Sequence, residues 1–329
     1  MLEETMLDEV NKFMLGLLPD RHAVPELSNF YAMLRDYPLR GGKGLRARLV
    51  LLSARAHGAP AAAGTALAAA LELFQNWVLI HDDVEDDSDE RRGRPALHRL
   101  HGAPLAINAG DALHVIMWRA VLEANVPGAA EEFLETVFAT AEGQHLDLAW
   151  IAANRWDITE HDYLNMVSRK TARYTVVAPL RLGAMAAGLT PDPRLTDAGL
   201  DLGVAFQIRD DILNLTALFE DYGKEIGGDL WEGKRTLILA RYLAGLTRAG
   251  RETALSVLAR PRPEKDPAAV AALLKDIQAS GAIEATQATA DEHARRGLVQ
   301  LRAVLQGLSG QDAAEEILAL ARQLALRGA

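Results

Sequence analysis

The sequence predicts an all-α fold in one large domain, residues 1–329, and three observations carry that reading. Aromatic residues make up only 5% of the chain and alternating β-branched runs are hard to find, which removes the usual sheet signal. Long stretches rich in Ala, Leu, Arg and Glu carry apolar residues at helical spacing, enough for on the order of ten or more helices. Gly and Pro punctuate those stretches in short clusters, and no Ser/Gly/Pro-rich linker divides the chain. Breaks are predicted at 19–25, 37–44, 88–104, 125–128, 189–193, 220–233 and 260–267.

Residues 1–36 read as one or two amphipathic packing helices, with Met6, Val10, Phe13 and Leu17 near helical spacing. The run LRGGKGLRAR at 39–48 is a glycine turn feeding an apolar helix. Glycines let backbone N–H groups approach an anion, a helix start favours negative charge, and Lys43 and Arg46 add cations on one side. Such a turn alone is also compatible with a plain loop. Residues 61–80 are Ala- and Leu-rich without Pro, so they predict a helix buried around most of its circumference.

That helix ends in Asp82, Asp83 and Asp86. Positions three and four apart share a helix face, so the carboxylates are expected to aim at one point, tolerable at neutral pH only with cations bound. Hard oxygen donors without His or Cys suit Mg²⁺. A solvated acidic helix end is the plain alternative, and a second copy weighs against it. Asp210, Asp211 and Asn214 end another apolar segment, 200–208, with the same spacing. Two acidic faces on two buried helices predict one shared polyphosphate site.

Further polar residues follow in order. Arg91 and Arg92 either neutralise the first cluster or offer planar forks to phosphate oxygens. Gln144 and Asp147 sit one helical turn apart, as pocket-lining residues or as a buried hydrogen-bonded pair. Lys170 and Thr171 lie on a predicted helix that Pro179 is expected to kink. A Gly-rich stretch, 222–236, brings Lys224 and Lys234 close behind the second cluster, as a flap over a diphosphate requires. From about Tyr242 onward the chain reads as packing helices.

Composition narrows the function classes. A net charge of −10 and a pI near 5.4 argue against a nucleic-acid partner, so the positive charges that matter are local. Cysteine is absent, which excludes disulfides and thiolate metal sites and points to a reducing compartment. The start lacks a basic segment followed by an apolar core, and no run of 18 uninterrupted apolar residues occurs. A cytoplasmic protein without a membrane span is expected.

From about Leu39 to about Leu239 these motifs, in this order, resemble the trans-prenyltransferase family, the polyprenyl synthetases, and most of all its short-chain geranylgeranyl diphosphate synthases. The resemblance implies an isoprenoid synthase-like helical fold around a central active-site cavity, acting as a homodimer. It implies Asp82, Asp83, Asp86, Asp210, Asp211 and Asn214 as metal ligands, with three Mg²⁺ ions bound alongside the allylic diphosphate. Gly42, Lys43, Arg46, Gln75 and Arg92 match positions that hold isopentenyl diphosphate. Arg91, Lys170, Thr171, Gln207, Lys224 and Lys234 match positions serving the allylic diphosphate, with Lys170, Thr171, Gln207 and Lys224 nearest the chemistry. Asn214 departs from the usual aspartate, and the chain's end lacks the basic tail of some farnesyl diphosphate synthases.

Phe74 and Trp77, eight and five residues before Asp82, fall on the face along which the product would grow, and otherwise serve as ordinary core aromatics. As a floor they imply a short product: geranylgeranyl diphosphate (C20), with farnesyl diphosphate (C15) the alternative. A class I terpene cyclase shares the fold and a DDxxD, but its second metal motif is not found here and it has no need of Gly42, Lys43 and Arg46. A regulatory subunit of a heteromeric synthase would have lost an aspartate motif. An acidic helical scaffold would bind Mg²⁺ poorly.

Overall fold

The computed structural model describes residues 2–216 and 227–326, and among them one two-stranded hairpin interrupts an otherwise helical chain. In order come α1 (Leu2–Leu17), α2 (Pro25–Leu39), α3 (Leu45–Ala56), α4 (Thr65–Glu85), the strands β1 (Glu90–Arg91) and β2 (Arg94–Pro95), α5 (Leu97–His101), α6 (Ala103–Ala124), α7 (Ala129–Ala152) and α8 (Glu160–Val167). A π-helical stretch, Ser168–Val177, leads into α9 (Ala178–Ala186) and α10 (Arg194–Thr216). The described remainder holds α11 (Gly228–Glu232), α12 (Leu237–Gly245), α13 (Arg248–Leu258), α14 (Pro267–Ala279), α15 (Ala282–Leu305) and α16 (Gln311–Leu326). The chain packs as two compact units. One comprises Met1–Glu135, Tyr174–Leu195 and Ala303–Ile317, the other Thr136–Arg173, Thr196–Arg302 and Leu318–Ala329.

In the first unit α4 is the central helix, packed on α1, α3 and α6. Leu67, Ala68, Leu71, Leu73, Phe74 and Ile80 are fully buried, as an Ala/Leu-rich helix without Pro predicts. Small residues set the spacing: Gly183 of α9 lies so close to α3 that a methyl there would sit 2.5 Å from the Val50 carbonyl. The Ser53 hydroxyl donates to the Leu180 carbonyl at 2.6 Å across the same contact. On α1 Val10 and Met14 are buried, with Leu18 just beyond its end, whereas Met6, Phe13 and Leu17 are partly exposed, so the packing face lies slightly round from the expected one. Residues Ala61–Glu85 and Ala103–Ala124 are long and apolar enough to cross a membrane, a test the sequence was expected to fail. For α4 that apolarity is used inside the unit. On α6 it also faces outward, at Leu105, Ile107, Val115 and Leu122.

The second unit is built around Tyr163, Ile208, Leu230, Ile238, Leu258 and Ile277. The break at 153–159 carries neither Gly nor Pro and was not anticipated. Asn154 there adopts a left-handed φ of 48°, which asparagine tolerates, and its side-chain oxygen accepts from the Trp156 indole at 2.6 Å. A reciprocal cap between Thr159 and Asp162 starts α8. Pro179 stands in the first turn of α9, which follows the π-helical stretch without a break. It has no N–H to donate into the preceding turn, and the ladder widens to a π-helix immediately upstream.

Candidate active site

The first acidic motif closes α4, where the helix's own carbonyls add partial negative charge, so the placement is electrostatically unfavourable without cations. Asp83 is fully buried and accepts a hydrogen bond from the Tyr37 hydroxyl at 2.5 Å. The Arg91 guanidinium grips the same carboxylate, its Nε at 2.9 and 3.1 Å and its Nη2 also bonded. Arg91 Nη2 lies 3.9 Å from Asp82. Burial works against the Arg91 charge, but pairing with Asp83 holds the group above its ordinary range. The expected convergence of three carboxylates is therefore corrected. One residue step turns a helix by about 100°, so Asp83 points inward while Asp82 and Asp86, one turn apart, remain at the helix end.

The second motif repeats this device within its own unit. Asp211 is buried and accepts from the Tyr163 hydroxyl at 2.6 Å and from Gln207 Nε2 at 2.8 Å. Burial pushes its pKa up to about 6 against those two hydrogen bonds. Gln207 in turn accepts from the Thr171 hydroxyl at 2.9 Å, and Lys170 Nζ meets Asp147 at 2.6 Å. The π-helical stretch that carries Lys170 and Thr171 is clasped by glycines. A methyl on Gly143 of α7 would lie 2.3 Å from the Lys170 nitrogen, and one on Gly203 of α10 would lie 2.4 Å from Ala172 Cα.

Asn214, expected as a metal ligand, is engaged in hydrogen bonds within the second unit. Its side-chain oxygen accepts from the Asp229 amide at 3.1 Å and its carbonyl from the Gly227 amide at 2.7 Å, tying α10 to the start of α11. Asp229 is buried, and burial raises its pKa well above the usual carboxylate range, against the opposing charge of Lys234. Lys234 Nζ lies 2.7 Å from Glu232 and 3.9 Å from Asp229. Lys224 lies outside the described residues.

Cationic side chains gather around the glycine turn in the first unit, a candidate anion pocket. The Arg92 guanidinium abuts Gly42, where a methyl would sit 3.4 Å from Nη2, and donates to the Tyr37 carbonyl at 2.9 Å. Arg46 donates to Thr175 Oγ1 at 2.8 Å and lies over the Tyr174 ring. Both arginines act on Glu72, whose pKa burial raises while Arg46, the Ala47 amide and Arg92 pull it down. Gln75 Oε1 and Arg46 Nε are buried without a hydrogen-bond partner in the protein. Lys43 is exposed at the rim.

Beside this pocket an aromatic column crosses from α4 to α6. Phe74 meets Trp77 edge-on at 5.4 Å, and Trp77 stacks flat on His114, with centroids 4.0 Å apart and planes 9° apart. The Trp118 indole N–H donates to His114 Nε2 at 2.9 Å, which fixes that ring's plane. Phe74 and Trp77 are thus brought together as expected, with His114 and Trp118 behind them.

Among the described residues no three His, Asp or Glu side chains converge as a ready metal cage. The donors present are carboxylates at helix ends. That set fits Mg²⁺, which takes one or two carboxylates and fills its octahedron with water and phosphate oxygens.

A profile of the polyprenyl synthetase family matches residues 28–277. The chain belongs to the polyprenyl synthetase family. It is 36% identical over 279 residues to a short chain isoprenyl diphosphate synthase of Methanothermobacter thermautotrophicus, covering 83% of each chain. It is 35% identical to a geranylgeranyl diphosphate synthase of Sulfolobus acidocaldarius, over 69% of this chain and 70% of that one. Among solved structures, a geranylgeranyl pyrophosphate synthase of Corynebacterium glutamicum, complexed with isoprenyl diphosphate and magnesium, superposes with a TM-score of 0.84. The sequences are 27% identical, and the match covers 99% of this chain and 98% of that one. The all-α, isoprenoid synthase-like fold read from the sequence is thus the observed one, and the synthetase is an enzyme of the prenyltransferase class.

Sequence reasoning missed Tyr37, Glu72 and His114 beside the candidate residues of the first unit, and Tyr163 and Asp229 beside those of the second. For Glu72 a signal existed, since it is the one acid between Thr65 and Ile80 in an apolar helix, one turn before Gln75. The two tyrosines gave none, because each lies 46 or 48 residues from the aspartate it holds.

Proposed function

We propose that the synthetase joins isopentenyl diphosphate head-to-tail to an allylic diphosphate, with geranylgeranyl diphosphate (C20) as the main product. The carrying observation is the pocket of Gly42, Arg46, Arg92 and the unpartnered Gln75 oxygen: a local cationic site in a chain of net charge −10. A second diphosphate substrate calls for such a pocket, and a cyclase has no use for it. Arg46, Arg92, Gln75 and the exposed Lys43 hold isopentenyl diphosphate there.

Asp82, Asp86 and Asp210 would hold Mg²⁺, three ions in all as in the resemblance, and within the second unit the buried Asp229 stands near Asp210. Bound Mg²⁺ would neutralise charge that builds on the departing diphosphate. Asp83 and Asp211 fix the helix ends instead of ligating. Arg91, Lys170, Lys234 and Lys224 supply fixed cations to the allylic diphosphate, whose C–O bond breaks with the electron pair leaving on the diphosphate. The Thr171 hydroxyl and the Gln207 amide present dipoles to the allylic cation. The double bond of isopentenyl diphosphate then forms the new C–C bond, and a proton passes to the released diphosphate. Placement of both substrates supplies much of the rate.

Trp77, backed by the His114 ring and Trp118, forms the floor that stops growth, with Phe74 beside it. The protein works as one catalytic domain in a cytoplasmic homodimer. The test is steady-state kinetics with Mg²⁺. Arg92→Ala is expected to raise the KM for isopentenyl diphosphate by about tenfold with the allylic KM within about twofold. An allylic KM that rises instead would reverse the assignment of the pocket.

A further inference from the structure

Lys265 lies between α13 and α14, outside every motif above, in a region that the sequence assigns to packing. It is only 6% exposed, an uncommon place for a lysine. Its ammonium donates to the carbonyl oxygens of Leu230 at 2.7 Å and Trp231 at 2.8 Å. Those carbonyls belong to the last turn of α11 and have no acceptor role inside so short a helix. Five residues are too few for a helix to hold on its own, so the geometry of α11 depends on what caps it.

Both ends are capped from elsewhere. Asn214 takes the Gly227 and Asp229 amides at the start. At the end Arg235 donates to the Gly233 carbonyl next to the pair held by Lys265. Arg235 is itself fixed, over the Trp156 ring at 3.8 Å and on the Arg155 carbonyl at 2.9 Å. Gly227 and Gly233, at φ 74° and 70°, let the chain enter and leave α11 abruptly. Asp229 is on this helix and Lys234 follows the second glycine at once. Burial pushes the Lys265 pKa down to about 8, with Arg235 and Arg262 adding to the effect, so the position holds its charge against its surroundings.

We propose that Lys265 is a positioning residue for the reaction: by capping α11 it fixes the turn from which Asp229 and Lys234 serve the leaving diphosphate. The proposal rests on the reading of Lys234 as a contact to the allylic diphosphate. Lys265 touches no substrate in this account and acts through Lys234.

The test uses the full chain with Mg²⁺, farnesyl diphosphate and isopentenyl diphosphate, and compares K265M, K265R, K234A and the K234A/K265M pair. Lys265→Met is expected to raise the farnesyl diphosphate KM about tenfold with the isopentenyl diphosphate KM within about twofold, and Lys265→Arg to restore most of the loss. The double variant should be no worse than K234A alone, because both changes remove one unit. A K265M enzyme with an unchanged allylic KM, or a loss that adds fully to that of K234A, overturns the proposal while leaving Lys234 in place. A K234A enzyme with an unchanged allylic KM removes the reading of Lys234 and the proposal with it. If K265M does not fold by circular dichroism, Lys265→Gln, which removes the charge but keeps an N–H-donating amide, carries the same comparisons.

Discussion

Asp83 and Asp211 occupy the same position in their motifs, and each accepts a hydroxyl hydrogen bond from a buried tyrosine. A DDxxD read along the sequence suggests three equivalent ligands. The helical step separates them instead, leaving the middle acid to anchor the helix end. Removing the donor from one anchor leaves a buried carboxylate short of a partner. Tyr163→Phe is therefore expected to lose about 1–3 kcal/mol of stability. Urea unfolding would show a lower midpoint at unchanged slope, and a midpoint equal to the wild type would mean that Asp211 needs no hydroxyl. Asn214 was legible as a departure from the motif but not as an anchor. Its role depends on α11, whose approach no local pattern in the sequence announces.

The π-helical stretch, Ser168–Val177, is where the sequence announced least about shape and most about chemistry. Lys170 and Thr171 stood out by their motif as candidates, and Pro179 signalled a disturbance. The signal for close packing was present as Gly143 and Gly203, but a glycine inside a helical pattern does not say which helix it admits. Gly203→Ala would place a methyl 2.4 Å from Ala172 Cα, and backbone cannot yield cheaply. The expected cost is about 1–3 kcal/mol, with a fall in kcat as Thr171 moves off Gln207. Differential scanning calorimetry and turnover on one preparation check both. A variant with normal stability and activity would show that the clasp is loose.

For the whole molecule, the isoprenoid synthase-like fold was legible because helical spacing, Gly and Pro punctuation and two acidic helix ends agree with one another. What was not legible are pairings between distant segments: Tyr37 with Asp83, Glu72 with Arg46 and Arg92, and His114 under Trp77. Exposed apolar side chains occur on α6, Val115 at 69% and Leu122 at 71%, and on α7, Leu134 at 58%. In the proposed homodimer we assign this surface to the contact between subunits. Val115→Asp is expected to shift the molecular mass in light scattering from dimer toward monomer, and an unchanged dimer would place the interface elsewhere.

The most direct test of the account is the mass of the product formed from isopentenyl diphosphate with dimethylallyl, geranyl or farnesyl diphosphate in Mg²⁺, for the wild type and for Trp77→Ala. The account predicts C20 from every primer for the wild type and a longer product for the variant. A wild-type product of C30 or more, or a variant that still stops at C20, would contradict the Trp77 floor, and cyclised hydrocarbon in place of condensation would contradict the proposed reaction itself.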